Sequence, residues 1–401
     1  MYNPDVKWET TITRNIGIDF GFFKERLSGT IDVYWNTVKD LLVPSDIPGY
    51  TGYTKLMTNV GQTSNRGIEL QLNAWLIETK DFSLNATFNI GHNKNKIDKL
   101  ASGEKEWILT SAWRNDVVNS DDYRAYVGGT SGLIYGYVND GFYTVADFES
   151  FDSKSRTWKL KEGVVDSSPL SDTPRPGNAK FKKLTPVDPN STNPYQLTEA
   201  DRTVIGNTTP KFSGGFGLNA TYKGFDMSMF FNFMYDFDVL NANKIMLTTW
   251  ADNKENNFLM DIASDKRWRN FDDMGNEIRY SPEVLAEFNK NATMWNPTSI
   301  GRPICMSYAV EDGSFLRLNS ATLGYTLPSV WTKKVGLSKV RFYVSGNNLF
   351  TLTGYSGYDP EVNIATGLTP NIDYNRYPRS RTYTFGAQLT FLIEIYKMKE
   401  Q

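Results

Sequence analysis

The sequence predicts an all-β protein organised around one large antiparallel sheet, and three observations predict it. Apolar and polar residues alternate with a period of two in repeated runs of about ten residues. Aromatic residues, which favour strands over helices, make up 14% of the chain. The connections between the runs alternate between short polar turns and long loops. Together these features predict a series of hairpins.

The first hairpin, between Ile12 and Trp35, shows the pattern that later segments repeat. In its two runs the apolar side chains fall on alternate positions, and residues 23–26 form the turn between them; the apolar residues are Ile12, Ile16, Ile18, Phe20 and Phe22, then Leu27, Ile31, Val33 and Trp35. The apolar face ends in aromatic residues, whereas the opposite face carries mainly Thr, Asn, Ser and Gly. A tilted strand of about ten residues is long enough to cross a bilayer. The hairpin therefore fits a strand pair with one face toward lipid and one toward water.

Further runs with this alternation follow along the chain, at residues 68–76, 82–90, 212–222, 225–237, 315–326, 340–350 and 382–391. With the first hairpin they give about nine strands. Short turns follow four of these strands, at Phe22, Ile77, Tyr222 and Leu327, and long loops follow Leu42, Ile90, Val239 and Phe350. Long loops at only one end of a sheet are typical of outer-membrane barrels, where they face outside. Within the loops, the sequence predicts a small hairpin at 133–143 and a short helix near 282–289.

Composition narrows the function classes. With 43 basic and 45 acidic residues, the net charge of −2 gives no electrostatic basis for a nucleic-acid partner. No run approaches about 18 consecutive apolar residues, which excludes a transmembrane helix. The single cysteine, Cys305, excludes an internal disulfide framework. Because bacterial barrels have an even number of strands and no signal peptide precedes the first hairpin, we expect the chain to be a piece of a longer barrel.

Catalytic and metal-binding patterns are weak. His92 is the only histidine, so neither a catalytic triad nor a zinc site has the residues it needs. The acidic pairs Asp121-Asp122 and Asp272-Asp273 could be considered acid/base pairs, but acidic residues in loops are more often solvated surface. No glycine-rich phosphate loop is present. The sequence therefore predicts no enzyme, no cofactor and no metal.

Tryptophans are concentrated in the long loops, where aromatic faces can stack on sugar rings or pack in interfaces. The candidate residues for contact with a substrate or a partner are Trp107, Trp113, Trp158, Trp250, Trp268 and Trp295. The alternative, which we favour, is that they pack the loops against one another. Aromatic residues at strand ends, such as Phe22, Trp35 and Phe391, are expected to lie at the membrane interface.

Several short motifs, in order along the chain, resemble those of one protein family. They are Asn3-Pro4-Asp5-Val6-Lys7-Trp8-Glu9, Asn59-Val60-Gly61 with Asn65-Arg66-Gly67-Ile68-Glu69, Tyr135-Gly136-Tyr137 with Asp140-Gly141-Phe142-Tyr143, Arg202-Thr203-Val204-Ile205-Gly206-Asn207 with Pro210-Lys211-Phe212, Asp312-Gly313-Ser314-Phe315-Leu316-Arg317-Leu318, Gly346-Asn347-Asn348-Leu349-Phe350 and Tyr358-Asp359-Pro360-Glu361. As a set they resemble the C-terminal barrel half of SusC/RagA-like TonB-dependent outer-membrane transporters of Bacteroidetes-type bacteria.

The resemblance implies that residues 1–391 are the C-terminal part of a 22-stranded barrel in the cell outer membrane, with residues 392–401 as an extension. It implies import of oligosaccharides, sometimes of peptides, with a SusD-like surface lipoprotein over the long loops. Energy would come from the TonB complex, through a plug and N-terminal part that this chain lacks. Family members often carry a calcium-loop-like segment before the Arg202 motif. Residues 187–194 lack that ligand spacing, so no metal is predicted there.

Two other function classes remain open from the residues alone. A surface β-sheet adhesin or glycan-binding module would bury the apolar faces around Ile12, Leu70, Phe216 and Phe385 beneath a second layer of the same chain. A secreted β-rich glycosidase would need a pair of facing carboxylates on its strands, and the strand faces offer few. The packing of the apolar faces therefore decides between the barrel and the adhesin.

Overall fold

The computed structural model describes residues 6–46, 55–100, 104–111, 121–249, 257–300, 303–361 and 367–391, together with Pro4, Tyr50, Gly52 and Trp113. Its strands are β1 (Thr10–Phe22), β2 (Leu27–Asp46), β3 (Lys55–Glu78), β4 (Phe82–Lys99), β5 (Glu106–Leu109), β6 (Tyr123–Tyr126), β7 (Leu133–Gly136), β8 (Asn139–Phe142), β9 (Phe148–Asp152), β10 (Thr157–Leu160), β11 (Ala179–Phe181), β12 (Thr203–Asn207), β13 (Phe212–Tyr222), β14 (Phe225–Tyr235), β15 (Asp238–Asn241), β16 (Val310–Asp312), β17 (Phe315–Thr326), β18 (Leu337–Thr353), β19 (Ile372–Asp373) and β20 (Thr382–Phe391). Its α-helices are α1 (Ala242–Met246), α2 (Pro282–Phe288) and α3 (Ser329–Thr332).

Nine of these strands form one antiparallel sheet in the order β1-β2-β3-β4-β13-β14-β17-β18-β20. The predicted all-β class and the predicted nine strands are confirmed. The strands that follow one another in the sheet are also neighbours along the chain once the loops are left out, as expected of up-and-down hairpins. The predicted helix near 282–289 is confirmed by α2. Among the described residues, no helix has both the length and the apolar character needed to cross a membrane.

The register gives the sheet two chemically different faces, because directly opposed residues in antiparallel strands share a face. One such row runs across eight strands through Phe20, Gly29, Leu72, Phe88, Phe216, Phe231, Leu318 and Phe350. The neighbouring row, on the opposite face, runs through Asp19, Thr30, Gln71, Asn89, Gly215, Asn232, Arg317 and Thr351. The first row is almost entirely apolar and the second is almost entirely polar.

No second layer covers the apolar face in the described part of the chain. Ile16, Ile18 and Phe385 are 63%, 62% and 79% exposed, values that are far from those of a packed core. The clusters of buried apolar residues lie instead in the loops and at their junctions with the strands. An uncovered apolar face of this extent corresponds to the outward, lipid-facing band of a transmembrane barrel. This arrangement fits a transmembrane barrel wall rather than a soluble sandwich.

The short turns lie at one end of the sheet, as the sequence predicts. The β13–β14 turn consists of only Lys223 and Gly224, with φ of 44° and 90°. Two successive positive φ angles give the type I′ geometry that matches the twist of a two-residue hairpin, and glycine adopts it at no steric cost. The β17–β18 connection is longer and contains α3, and it ends at Gly336 with φ of 74°.

The prediction that a long loop begins after Leu42 is wrong, because the strands continue past this residue. β2 and β3 continue to pair beyond it, as far as Asp46 opposite Lys55, so that Pro44 and Gly61 lie inside strands. Proline is tolerated there because the pairing with β1 begins at Lys39, so that among the described strands only β3 pairs with the rest of β2. The hairpin therefore extends well past the length that a bilayer requires.

The predicted small hairpin at 133–143 is also wrong. β7 pairs with β6 and β12, whereas β8 pairs with β11, so the two halves of the segment join different partners. The segment does not close on itself as a hairpin, because β11 and β12, which lie further along the chain, pair with its two halves. The loops thus build small sheets of their own: β12-β7-β6-β5, β11-β8, β10-β9 and β16-β15-β19.

Candidate functional site: the polar sheet face and the loop assembly

The polar face of the sheet carries hydrogen-bonding side chains that are bound to one another across strands. Tyr34 Oη on β2 donates to Asn93 Oδ1 on β4 at 3.1 Å. Asn93 and Asn95 both donate their amide nitrogens to Asn65 Oδ1 on β3, at 3.2 and 3.1 Å. Amide groups held in this way present fixed donors and acceptors to water or to a polar solute.

A groove on the same face lies over β2, β3, β4 and β13. It encloses about 390 Å³ and is lined by Thr30, Asp32, Glu69, Gln71 and Asn89, among others. Asp32 and Glu69 occupy directly opposed positions on β2 and β3. The groove is therefore polar and acidic, as expected of a wet surface rather than of a packed barrel interior.

Arg317 is the most deeply buried charge on this face, with 1% of its surface exposed. It projects from β17, and its Nη2 lies 2.6 Å from Asp359 Oδ1 and 3.2 Å from Glu361 Oε2. Arg379 Nη1 also lies 3.4 Å from Glu361 Oε2. The ion pairs of Arg317 hold the loop after β18 against the sheet, since Arg317 belongs to the wall and its two partners, Asp359 and Glu361, belong to the loop.

The loops pack into a single assembly with apolar clusters of their own. One cluster joins the loop after β4 to those after β14 and β18, through Tyr123, Ile134, Leu240, Ile245 and Ile372, each fully buried. A second joins the loop after β4 to the one after β14 alone, through Phe181, Leu197, Trp295 and Ile300. Because three loops share one interior, their described segments form one packed cap rather than separate structures.

The structure places five of the six candidate tryptophans, while Trp250 lies outside the described residues. Trp295 and Trp268 are 1% and 2% exposed, and Trp113 is 7% exposed. Trp107 and Trp158 are half-buried at the edges of other clusters. The five are spread over four clusters, and only Trp158 and Trp268 come together. Their burial supports loop packing, while a contact between any of them and a solute stays a prediction.

Asp201 organises one turn of this assembly. Its buried carboxylate accepts hydrogen bonds from the backbone nitrogens of Leu184, Thr185 and Thr198, at 2.9, 2.7 and 2.7 Å, and from the hydroxyls of both threonines. Burial alone would raise the pKa of this carboxyl, but the hydrogen bonds from Thr185 and Thr198 outweigh it and hold the pKa well below its usual value. The folded loop is therefore stabilised by the ionised form of Asp201.

This geometry predicts acid sensitivity of the loop. A carboxyl whose pKa is lower in the folded state than in the unfolded chain stabilises the fold at any pH above its unfolded pKa, which is about 4. This contribution is lost progressively as the pH falls from about 4 toward the lower pKa of the folded state. We expect trypsin to cleave after Lys183 slowly in protein kept at pH 7. Protein kept at pH 3 and digested immediately on its return to pH 7 should be cleaved after Lys183 faster.

The Asp201→Asn variant provides the comparison, because it keeps the shape of the side chain and removes its charge. It should be cleaved quickly at pH 7 even without acid treatment. If Asp201→Asn and the wild-type protein are cleaved equally at both pH values, the carboxylate does not hold this turn.

The two acidic pairs that the sequence suggested as possible acid/base groups have structural partners. Asp122 is fully buried and accepts hydrogen bonds from the backbone nitrogen and the hydroxyl of Ser111. Burial raises the pKa of Asp122 to about 6, against the opposing effect of these hydrogen bonds. Asp272 accepts from the backbone nitrogens of Met274 and Asn276 within one turn. The described residues contain no group of three or more His, Cys, Asp or Glu side chains placed to hold a metal ion.

Sequence reasoning missed two groups of charged residues. One is the ion pair set around Arg317. Arg317, Asp359 and Glu361 come from two of the motifs quoted above, but Arg317 is 42 residues from Asp359 in the sequence. The other is a set of arginines beside Trp268, which the run Lys266-Arg267-Trp268-Arg269 could have indicated as a basic segment around an aromatic residue. Neither group could be assembled from periodicity, since loop pairing brings its members together.

Comparison with known proteins agrees with this architecture. The family model of the TonB dependent receptor-like β-barrel matches residues 1–160. TonB-dependent receptor P3 of Formosa agariphila is 32% identical over 395 residues, which cover 97% of this chain and 35% of the relative. TonB-dependent receptor SusC of Bacteroides thetaiotaomicron is 28% identical over 397 residues, covering 97% of this chain and 33% of the relative. The chain thus spans about a third of the length of these curated relatives.

Solved structures show the same fold. The structure of the RagAB peptide transporter superposes with a TM-score of 0.67 at 24% identity, over 96% of this chain and 36% of that one. The RagAB peptide importer in its open-open state gives a TM-score of 0.68 over 97% of this chain. The sheet order, the uncovered apolar face and these relatives confirm the predicted resemblance to SusC/RagA-like TonB-dependent outer-membrane receptors, and the chain corresponds to part of their β-barrel.

Proposed function

We propose that this chain forms part of the wall and cap of an importer that takes oligosaccharides or other bulky nutrients across the outer membrane. The observation that supports this function most directly is the sheet with one apolar and one polar face, continued row by row across the strands. The apolar face meets lipid, and the polar face lines the passage of the solute. The packed loops close the outer end of that passage.

The partners follow from the same proposal. A SusD-like surface lipoprotein would lie over the loop assembly and deliver the solute, which the family resemblance gives as oligosaccharide and sometimes peptide. The TonB complex would supply energy through an N-terminal part of the receptor. No covalent step is assigned to this chain, because binding and passage need only the hydrogen-bonding groups of the polar face and the loops.

Thiol labelling of neighbouring strand positions tests the passage. Gln71 and Asn73 lie on the polar face of β3, and Leu70 and Leu72 lie on its apolar face. We expect a charged maleimide to label Gln71→Cys and Asn73→Cys in intact outer membranes and to leave Leu70→Cys and Leu72→Cys unlabelled. The natural cysteine, Cys305, is buried and gives little background labelling.

The same variants connect the passage with transport. In cells that depend on the full chain for uptake of a labelled oligosaccharide, attaching a bulky maleimide at Gln71→Cys should reduce uptake severalfold. The unmodified variant, and Leu72→Cys exposed to the reagent, should transport normally. Equal labelling of both faces would contradict the barrel wall, and full uptake after complete labelling of Gln71→Cys would contradict a solute path along this face.

A further inference from the structure

A basic pocket lies within the loop assembly, away from the polar face of the sheet. It has a volume of about 580 Å³, within the range of small-molecule sites. Three loop segments line it, at residues 172–178, 264–279 and 296–298. Hydrogen bonds fix these segments to one another, since Asn296 N donates to Gly177 O at 2.8 Å and Trp268 N donates to Met294 O at 2.8 Å. The pocket is therefore preformed.

The charge of the lining is unusual for this chain. Four arginines line the pocket, at Arg175, Arg267, Arg269 and Arg279, against two aspartates. The carboxylate of one of the aspartates, Asp272, already accepts hydrogen bonds from the backbone nitrogens of its own turn. Two carboxylates just outside the lining, Asp273 and Glu277, pair with Arg269 and Arg279, so Arg267 is the lining arginine without an acidic partner among the described residues. A guanidinium without an acidic partner in a pocket favours an anionic ligand.

The arginines are free to change partners. Arg175 pairs with Asp172 at 3.0 Å, Arg269 with Asp273 at 2.8 Å and Arg279 with Glu277 at 2.5 Å. Those acidic side chains are 69%, 78% and 39% exposed. Such exposed pairs contribute about 0–1 kcal/mol, so a bound anion can replace them at little cost. Arg267 has no acidic partner among the described residues, and its Nη1 donates only to Ile262 O at 3.3 Å.

The remaining lining suits a sugar ring. Phe271 is 46% exposed, so part of its ring is available for stacking, and the Arg279 guanidinium lies 5.5 Å from its centre. Asn178, Asn270 and Asn296 add amide groups of the kind that pair with hydroxyls. Trp268 is 2% exposed, and its Nε1 has no hydrogen-bond partner in the described part of the chain. A buried donor without a partner is costly unless a ligand or water accepts from it.

We propose that this pocket binds a saccharide unit carrying a carboxylate or sulfate group. The guanidiniums of Arg267 and Arg279 take the anionic substituent, because planar forked donors match a carboxylate or a sulfate. Phe271 packs on the ring, and the asparagines bind its hydroxyls. This inference rests on the proposed function, from which it takes the imported solute to be an oligosaccharide. The new element is that the oligosaccharide carries a negative charge.

Binding to the full chain, purified in detergent from outer membranes, tests the pocket without any need for transport. The probes are tetragalacturonate, a sulfated tetrasaccharide of neutral sugars, the neutral maltotetraose and the peptide tetra-aspartate. We expect one or both of the anionic saccharides to bind, and to bind at least tenfold more tightly than maltotetraose and tetra-aspartate. Arg267→Gln and Arg279→Gln should each weaken that binding by roughly tenfold or more, the range for losing a charged hydrogen bond.

Lys290→Gln is the matched control, because it removes one positive charge from an exposed ion pair in the same loop, outside the pocket lining. It should bind the probes as the wild type does. The strand signal in circular dichroism should be the same for all variants, which separates loss of the pocket from loss of folding. Binding of tetra-aspartate or maltotetraose as tightly as the anionic saccharides, or binding unaffected by both arginine variants, would overturn the proposal.

The outcomes also distinguish this inference from the proposed function. A chain that binds an anionic saccharide through Arg267 but imports no oligosaccharide in cells contradicts the importer and leaves the pocket standing. If the protein imports neutral oligosaccharides and binds charged and neutral probes with equal affinity, the proposal for the pocket is contradicted and the importer is not.

Discussion

Replacing Leu218 by arginine is expected to destabilise the folded protein in the membrane by about 2–4 kcal/mol, the cost of a cation on the lipid face of a barrel near the bilayer centre. Leu218 lies near the middle of β13, between Ala86 on β4 and Met229 on β14. All three side chains lie on the apolar face. A guanidinium there can reach neither water nor a carboxylate, which is why the expected effect is large.

The adjacent residue supplies the control. Asn219 lies opposite Asn85 and Ser228 and is exposed on the polar face, so an arginine there remains in water. We expect Asn219→Arg to lie within about 0.5 kcal/mol of the wild type, as surface substitutions usually do. Urea unfolding in lipid vesicles, followed by tryptophan fluorescence, measures both variants. If the two variants unfold at the same urea concentration, or if Asn219→Arg is the less stable, the assignment of the two faces is reversed or wrong.

How much of this wall could be predicted from the sequence depends on the range of the interactions that build it. The strands and their faces follow from the period of two, a local property that the hydrophobic contrast between lipid and water enforces at every position. Short turns such as Lys223-Gly224 are local as well, because two residues set the backbone angles. These features were predicted correctly, to within a few residues at most strand ends.

The errors occur where pairing depends on distant residues. Pro44 suggested a loop, yet β3 supplies a partner that keeps β2 extended through it. The segment at 133–143 suggested a hairpin, yet β11 and β12 lie beside it instead of its own second half. Alternation reports which side of a strand is apolar and contains no information about which loop segment lies next to it. The basic pocket was missed for the same reason, since its arginines are separated by up to about a hundred residues.

The ion pair between Arg317 and Asp359 shows the same limit and leads to the second large effect. Both residues belong to motifs that the family resemblance identified, but nothing in the sequence joins them. The structure places Arg317 Nη2 2.6 Å from Asp359 Oδ1, with the two side chains 2% and 7% exposed. Removing one partner of such a buried pair leaves a charge without compensation, which typically costs about 3–5 kcal/mol.

We therefore expect Asp359→Ala to release the loop after β18 from the sheet. Glu361 remains 3.2 Å from Arg317 but is shared with Arg379, so the cost should fall toward the lower end of that range. Trypsin cleavage after Arg376, in the same loop, should become at least tenfold faster in outer-membrane preparations. Glu149→Ala is the control: it breaks the exposed pair with Lys159, at 2.8 Å, and should leave this cleavage rate unchanged.

A double variant separates the charge from the shape of the site. In Arg317→Met with Asp359→Leu, no buried charge is left unpaired, and apolar side chains of similar length fill the space. Its cleavage rate should return most of the way to that of the wild type, although each single change alone increases it. If the double variant is cleaved as fast as Asp359→Ala, the loop is held by the specific geometry of the ion pair and not by the cost of an unpaired charge. Wild-type cleavage rates in Asp359→Ala would mean that the apolar clusters alone hold the loop in place.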